Sequence, residues 1–206
     1  MTSSAGTVFV VDDDPSMRKA LGRLCQSAGL DVKLFGSAQE LLTHGAIESP
    51  ACIVLDVSMP GLSGLDLQGE IAARDIRTPI VFITGHGDIP MSVKAIKAGA
   101  VDFLTKPFAS KVVLAVIRDA ISKDAGLQAS QTEQKTIERR LRSLTPREHQ
   151  VFEMVIKGML NKQIAAALGA SEQTIKVHRH RMMAKMQVAS VAALVQAAVK
   201  IGALKS

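Results

Sequence analysis

Between residues 7 and 122 the sequence repeats one alternation, a short apolar run rich in valine and isoleucine followed by a segment with helical period. The runs are TVFVV, DVKLF, ACIVLDV, PIVFIT and AVDFLT. A strand with one wet face reads apolar-polar-apolar, and these runs show little of that alternation. The pattern therefore predicts five strands and five helices in a doubly wound α/β domain, its parallel sheet covered on both faces. In such sheets ligands lie beyond the carboxyl ends of the strands, near the point where strand order reverses.

The first run ends VVDDDP, with Asp12, Asp13 and Asp14 adjacent. Two carboxylates about 4 Å apart repel by roughly 4 kcal/mol at an effective dielectric near 20, so the arrangement needs open solvent or a cation. Asp14 stands directly before Pro15, and Met17, Leu21 and Leu24 follow at helical spacing, which makes it a natural N-cap. Asp12 and Asp13 have no such structural reason. With Asp56, which ends the third run in LDVSMPGLSG, they would form an oxygen cluster suited to Mg²⁺. A lone aspartate ending a strand is usually a turn residue or cap. Here Thr84 ends the fourth run and Lys106 follows the fifth, so one rim gathers three carboxylates, a hydroxyl and an ammonium. That is an inventory for handling a phosphoryl group. The pair Asp12-x-Asp14 also admits a phosphohydrolase with an aspartyl nucleophile on the first strand.

Residues 123–142 (KDAGLQASQTEQKTIERRLR) are polar, with Gly126 near the start, and read as a partly helical linker. From residue 143 onward the pattern is helical throughout, in four short helices. Thr145-Pro146 and Ser171 are start signals; Gly158 and Gly169 are stop signals. Charge divides in the same place. Residues 1–122 hold 11 Lys+Arg against 13 Asp+Glu (net −2), and 123–206 hold 14 against 6 (net +8). The basic part predicts a polyanionic partner, with a solvated basic face as the plain alternative. On its third helix, Ile175, Met182 and Met186 fall on one side, whereas Val177, His180, Arg181 and Ala184 fall on the other with Lys176 flanking them. The outward set is basic, hydrogen-bonding and narrow enough for a major groove. The chain has no Trp or Tyr, which disfavours the base-stacking readers of single strands and RNA.

The chain has 206 residues, 47% hydrophobic and 21% charged, as expected of a globular protein. No run of apolar residues reaches membrane-spanning length, and MTSSAG lacks the pattern of a signal peptide, so a cytoplasmic protein with no membrane partner is expected. Cys25 and Cys52 lie on apolar patterns and read as core residues, and His44, His86 and His149 show no metal-ligand spacing.

Across residues 7–122 the sequence resembles the receiver domain of two-component response regulators. DD follows the first strand, DxxMPGxxG carries Asp56, Thr84 ends the fourth strand and KPF follows the fifth. LTPREHQV, NKQIAAALGAS and QTIKVHRHRMMAKM, within 143–203, resemble the helix-turn-helix of LuxR-type regulators, and GHGDIPMSVKAIKAGAVDF at 85–103 resembles the FixJ-like branch.

The resemblance implies a flavodoxin-like strand order 2-1-3-4-5, a receiver over 1–122, a linker over 123–142 and a DNA-binding domain over 143–206. Asp56 would accept a phosphoryl group from a sensor histidine kinase. Mg²⁺ would be held by Asp13, Asp56 and the Ser58 backbone carbonyl, with Asp12 acting through water or from further out. Lys106 would supply fixed charge, Thr84 would sense the phosphate, and Phe103 would be the switch aromatic. Lys106-Pro107 matches the family's cis peptide. Val93, Lys97 and Ala98 would lie on the face of a phosphorylation-promoted homodimer. Lys176, Val177 and His180 would approach base edges of double-stranded promoter DNA, while Lys162, Thr174 and Arg181 would hold phosphates; Lys185 and Arg179 are further candidates for the backbone. RNA polymerase is the expected downstream partner. The receiver would promote only its own Mg²⁺-dependent phosphorylation and dephosphorylation. Two departures bear on this: Ser58 stands where many relatives carry a longer side chain that shields the aspartyl phosphate, and His180 stands where some carry Lys. An interaction module for other proteins is the remaining reading of the helical domain.

Overall fold

The structure is a computed structural model that describes residues 6–48, 50–85 and 89–204. The chain divides into two compact units, one up to Gln128 and one from Ala129.

In the first unit five strands alternate with helices: β1 (Thr7–Val11), α1 (Pro15–Ser27), β2 (Asp31–Phe35), α2 (Ala38–Thr43), β3 (Ala51–Asp56), α3 (Gly64–Ala73), β4 (Ile80–Thr84), α4 (Ile89–Lys97), β5 (Asp102–Thr105) and the first part of α5 (Ser110–Arg142). The sheet is parallel with order β2-β1-β3-β4-β5, so the chain reverses direction across the sheet between β1 and β3. Successive side chains on a strand point to opposite faces. Phe9, Val11, Ile53, Leu55 and Phe82 accordingly build one core, and Val8, Val10, Cys52, Val54, Val81 and Ile83 build the other. The three central strands are buried almost throughout, while the edge strands β2 and β5 are largely half-exposed or exposed, as edges with one neighbour must be. Cys25 and Cys52 are both fully buried and free. Burial pushes the Cys25 thiol up to about 11 and raises Cys52 further.

Residues 123–142 are helical throughout, as the later part of α5. Most of this segment is made of good helix formers, and Arg139, Arg140 and Arg142 sit in the last turn where the helix dipole favours cations. Gly126 is accommodated within it. In the second unit α5 is followed by α6 (Pro146–Ile156), α7 (Asn161–Leu168), α8 (Glu172–Met186) and α9 (Val191–Lys200). Their ends carry the expected punctuation. Thr145 and Glu148 form a reciprocal capping box, Ser171 and Ser190 cap α8 and α9, and Gly169 closes α7 in the left-handed conformation. The core joins Val151, Phe152, Ile164, Ile175, Met182, Met186 and Leu194 with Ile137 of α5. No single helix among the described residues is long and apolar enough to cross a membrane.

Candidate functional site

Strand register explains why the rim residues meet. Val11 pairs with Leu55, so the residues that follow, Asp12 and Asp56, lie at one level. Asp56 pairs with Ile83, which puts Thr84 one step further, and Thr84 pairs with Thr105, which brings Lys106 to the same edge. One carboxylate oxygen each from Asp12, Asp13 and Asp56 falls within 4.8 Å of the others. Asp14 stands apart as the N-cap of α1, its Oδ1 accepting from the Ser16 amide at 2.8 Å.

The two buried aspartates are held differently. Asp12 has both oxygens engaged: Oδ1 accepts from the Asp14 amide at 2.9 Å, and Oδ2 from Lys106 Nζ at 3.0 Å. Asp56 is 7% exposed, its Oδ2 lies 3.6 Å from Lys106 Nζ, and its Oδ1 is buried with no hydrogen-bond partner among the described residues. Burial pushes the Asp56 carboxyl above the usual carboxylate range. Lys106 pulls it back, as does the Val57 amide, and Asp12 and Asp13 push further by repulsion. A buried carboxylate oxygen without a partner is costly unless something binds it. The oxygen donors match a hard divalent cation such as Mg²⁺, and the ammonium beside them matches a phosphoryl oxygen.

The loop after β3 holds Asp56 in place. The Gly64 amide donates to the Val57 carbonyl at 3.0 Å, and a Cβ on Gly64 would run into the Asp56 carbonyl oxygen, so only glycine fits that approach. Ser58 is exposed on this loop. Thr84 is fully buried, the Lys106 amide donates to its carbonyl at 2.7 Å, and Lys106-Pro107 is cis. Phe103 is half-buried on β5, its ring centroid 6.2 Å from that of Phe82. Arg18 belongs to no motif of the sequence. Its Nη1 donates to the main-chain oxygens of Asp12 at 2.5 Å and Asp13 at 3.3 Å, tying the acidic turn to α1. Its only sequence signal is a position one turn into a helix that starts beside the acidic run.

On α4, Val93 and Lys97 are exposed, together with Ile89 and Ile96, and Ala98 lies one residue past the helix end. His86 lies outside the described residues, as do Gly87 and Asp88 of the segment at 85–103.

In the second unit Ile175, Met182 and Met186 are buried, and Lys162, Thr174, Lys176, Val177, His180 and Arg181 are exposed. Lys176 lies 3.8 Å from Glu172 one turn away, both side chains about half exposed. Lys185 is engaged within the unit: its Nζ donates to Glu148 Oε2 at 2.6 Å and to the Ser143 carbonyl at 3.3 Å. Arg179 donates through Nη1 to Asn161 Oδ1 at 2.9 Å.

Comparison with known proteins agrees with both halves. Residues 8–118 match the response regulator receiver domain, and 142–198 match the bacterial regulatory proteins of the luxR family. Nodulation protein W of Bradyrhizobium diazoefficiens is 46% identical over 200 residues, 97% of this chain and 88% of its own. Transcriptional regulatory protein FixJ of the same organism is 43% identical over 202 residues, 98% of each. Among solved structures, response regulator StyR superposes with a TM-score of 0.86 at 47% identity, covering 95% of this chain and 98% of StyR. Full-length FixJ from B. japonicum gives 0.61 at 42%, covering 98% and 100%. A sheet of order 2-1-3-4-5 with an acidic rim, followed by a helical unit of luxR type, makes this chain a FixJ-like member of the response regulators, a phosphorylation-regulated transcription regulator.

Proposed function

We propose that Asp56 is the phospho-acceptor and that a sensor histidine kinase supplies the phosphoryl group. The observation that carries this is the contrast between the two buried carboxylates of the rim: among the described residues Asp56 keeps a buried oxygen without a partner, whereas Asp12 has both oxygens committed. An Asp56 oxygen attacks phosphorus, the phosphorus–nitrogen bond to the kinase histidine breaks, and the nitrogen keeps the electron pair. Lys106 stands ready to balance charge on the phosphoryl oxygens, as its 3.6 Å approach to Asp56 supports. Asp13, Asp56 and the Ser58 backbone carbonyl would hold Mg²⁺, with Asp12 behind them. When bound there, the ion screens the carboxylates and phosphoryl oxygens from one another. The receiver so promotes its own phosphorylation and dephosphorylation and turns over no other substrate. The phosphohydrolase reading would need Asp12 as nucleophile, and its bonds to Lys106 and the Asp14 amide argue against that.

Phosphate on Asp56 offers its oxygens to the Thr84 hydroxyl, and Phe103 turns inward as Thr84 moves. The face around Val93, Lys97 and Ala98 then pairs two copies. Lys176, Val177 and His180 read base edges in the major groove of promoter DNA, and Lys162, Thr174 and Arg181 hold phosphates, delivering the dimer to a promoter where RNA polymerase is the partner. The receiver runs over 1–122, the connecting helix over 123–142 and the DNA-binding domain over 143–206, in a cytoplasmic protein. Intact mass after incubation with Mg²⁺ and a small phosphoryl donor, beside Asp56→Asn and followed by size-exclusion chromatography, tests the switch. Gain of one phosphoryl group in wild type alone, with a shift to dimer, is expected. No gain in wild type would remove Asp56 from this role.

A further inference from the structure

A cleft of about 490 Å³ runs along one flank of α8, bounded by the first residue of α7 and by the turn into α9. Asn161, Lys176, Arg179 and His180 supply its polar lining, and Met183 and Val188 part of its apolar wall. No carboxylate lines it among the described residues. Among the described residues Lys176 has only its long surface pair with Glu172, of a kind worth little in water and readily exchanged for another anion. Arg179 is half-buried and makes one hydrogen bond among the described residues, from Nη1 to Asn161 Oδ1 at 2.9 Å. A guanidinium carries five N–H donors in a rigid fork, so this bond fixes its aim and leaves most of the fork for a ligand.

The direction of the fork selects the ligand. At about 100° per residue, Arg179 lies about 60° from Lys176 and about 100° from His180 around α8. It lies about 160° from Val177 and Arg181, on the far side of the helix. A helix seated in a major groove turns one face to the base edges and its flanks to the sugar-phosphate walls. Planar, doubly donating guanidinium groups suit phosphate oxygens, and a side chain already held in place loses less freedom on binding.

We propose that Arg179 and Asn161 form a clamp for one phosphodiester of the duplex backbone, Arg179 supplying the charge and Asn161 aiming it. This rests on the reading that α8 binds duplex DNA. Asn161 is thus a positioning residue that lies on α7, outside the recognition helix.

The test is fluorescence anisotropy of a labelled mixed-sequence duplex with the full chain over a series of salt concentrations, because non-specific binding reports phosphate contacts. Arg179→Ala is expected to weaken binding about ten-fold and to flatten the plot of log affinity against log salt by about one ion. Asn161→Ala keeps the charge, so about a three-fold loss with an unchanged slope is expected. Arg179→Lys should restore the slope but not the full affinity. Arg181→Ala is the comparator. If it weakens binding while Arg179→Ala matches wild type in affinity and slope, the clamp is overturned and the DNA reading stands. If neither matters, the DNA reading itself fails. Asn161→Ala indistinguishable from wild type would also overturn the clamp, since Arg179 would then act alone. Circular dichroism melts accompany each variant, and if Arg179→Ala melts early, Arg179→Lys and Asn161→Ala carry the decision.

Discussion

Glu148 is, among the described residues, the one buried carboxylate of the second unit, and two partners hold it there. Its Oε2 accepts from Lys185 Nζ at 2.6 Å and from the Thr145 amide at 2.9 Å. The hydrogen bond from Lys185, with help from Thr145, holds the Glu148 carboxyl below the usual carboxylate range despite the opposing effect of burial. A folded-state value below the unfolded one adds stability that is complete above the ordinary glutamate value of about 4.3 and is lost as pH falls through the lower folded value. Guanidinium unfolding followed by circular dichroism from pH 7 to pH 3 should therefore show an acid-side loss in the helical unit. Glu148→Gln should lower stability at pH 7 by about 1–3 kcal/mol and flatten that loss; an unchanged acid limb would show that Glu148 is not its source. The sequence marks the start of α6 at Thr145-Pro146, and the structure adds Glu148 as the reciprocal partner of that cap. The bond of Glu148 to Lys185, 37 residues further on, is visible only in the structure; the same lysine is a candidate DNA-backbone contact by sequence.

At the scale of elements, strands and helices were legible because their periods are local. Residues 123–142 were harder. With apolar residues only at Leu127, Ile137 and Leu141, and a glycine near the start, they carry a weak amphipathic signal, and the partly helical linker expected there is continuous helix in the structure. Its helicity comes from propensity, from the basic last turn and from anchors at both ends. Asp124 Oδ2 accepts from the Ala51 amide at 2.9 Å in the first unit, and Arg140 donates to Gln187 Oε1 at 2.6 Å in the second. Gly126 lies between those anchors with open space where a Cβ would stand. Gly126→Ala should therefore stabilise α5 by about 1 kcal/mol, read as a higher melting temperature of the full chain. A lower one would mean that the glycine is needed for some departure from regular helix at that point.

At the scale of the whole molecule, charge and connectivity divide the labour. The half that carries the acidic rim has net −2 over residues 1–122, and the half that carries α8 has +8 over 123–206. A basic module that meets a polyanion releases counterions, so its affinity falls steeply with salt. Two such modules held together engage a site at raised effective concentration. If phosphorylation on Asp56 pairs two chains, the phosphorylated protein should show a salt slope about twice that of the unphosphorylated one on the same duplex, measured by anisotropy at matched protein concentration. Equal slopes would separate phosphorylation from paired DNA binding.

Local spacing reveals five strands along the chain, the helical nature of the second unit, the strand-end positions of Asp12, Asp13, Asp56, Thr84 and Lys106, and the role of Asp14 as a cap. Each of these is written in spacing between near neighbours, where a period of two or 3.6 and a capping residue act locally. Packing between distant elements sets which carboxylate oxygen stays without a partner among the described residues and lets Arg18 tie down the acidic turn. It likewise decides that Asp124 reaches back 73 residues to Ala51, that Lys185 belongs to Glu148, and that Arg179 is aimed by Asn161. Those outcomes depend on which side chains from different elements arrive at one point. There, a buried polar atom takes whatever partner the packing brings within about 3 Å.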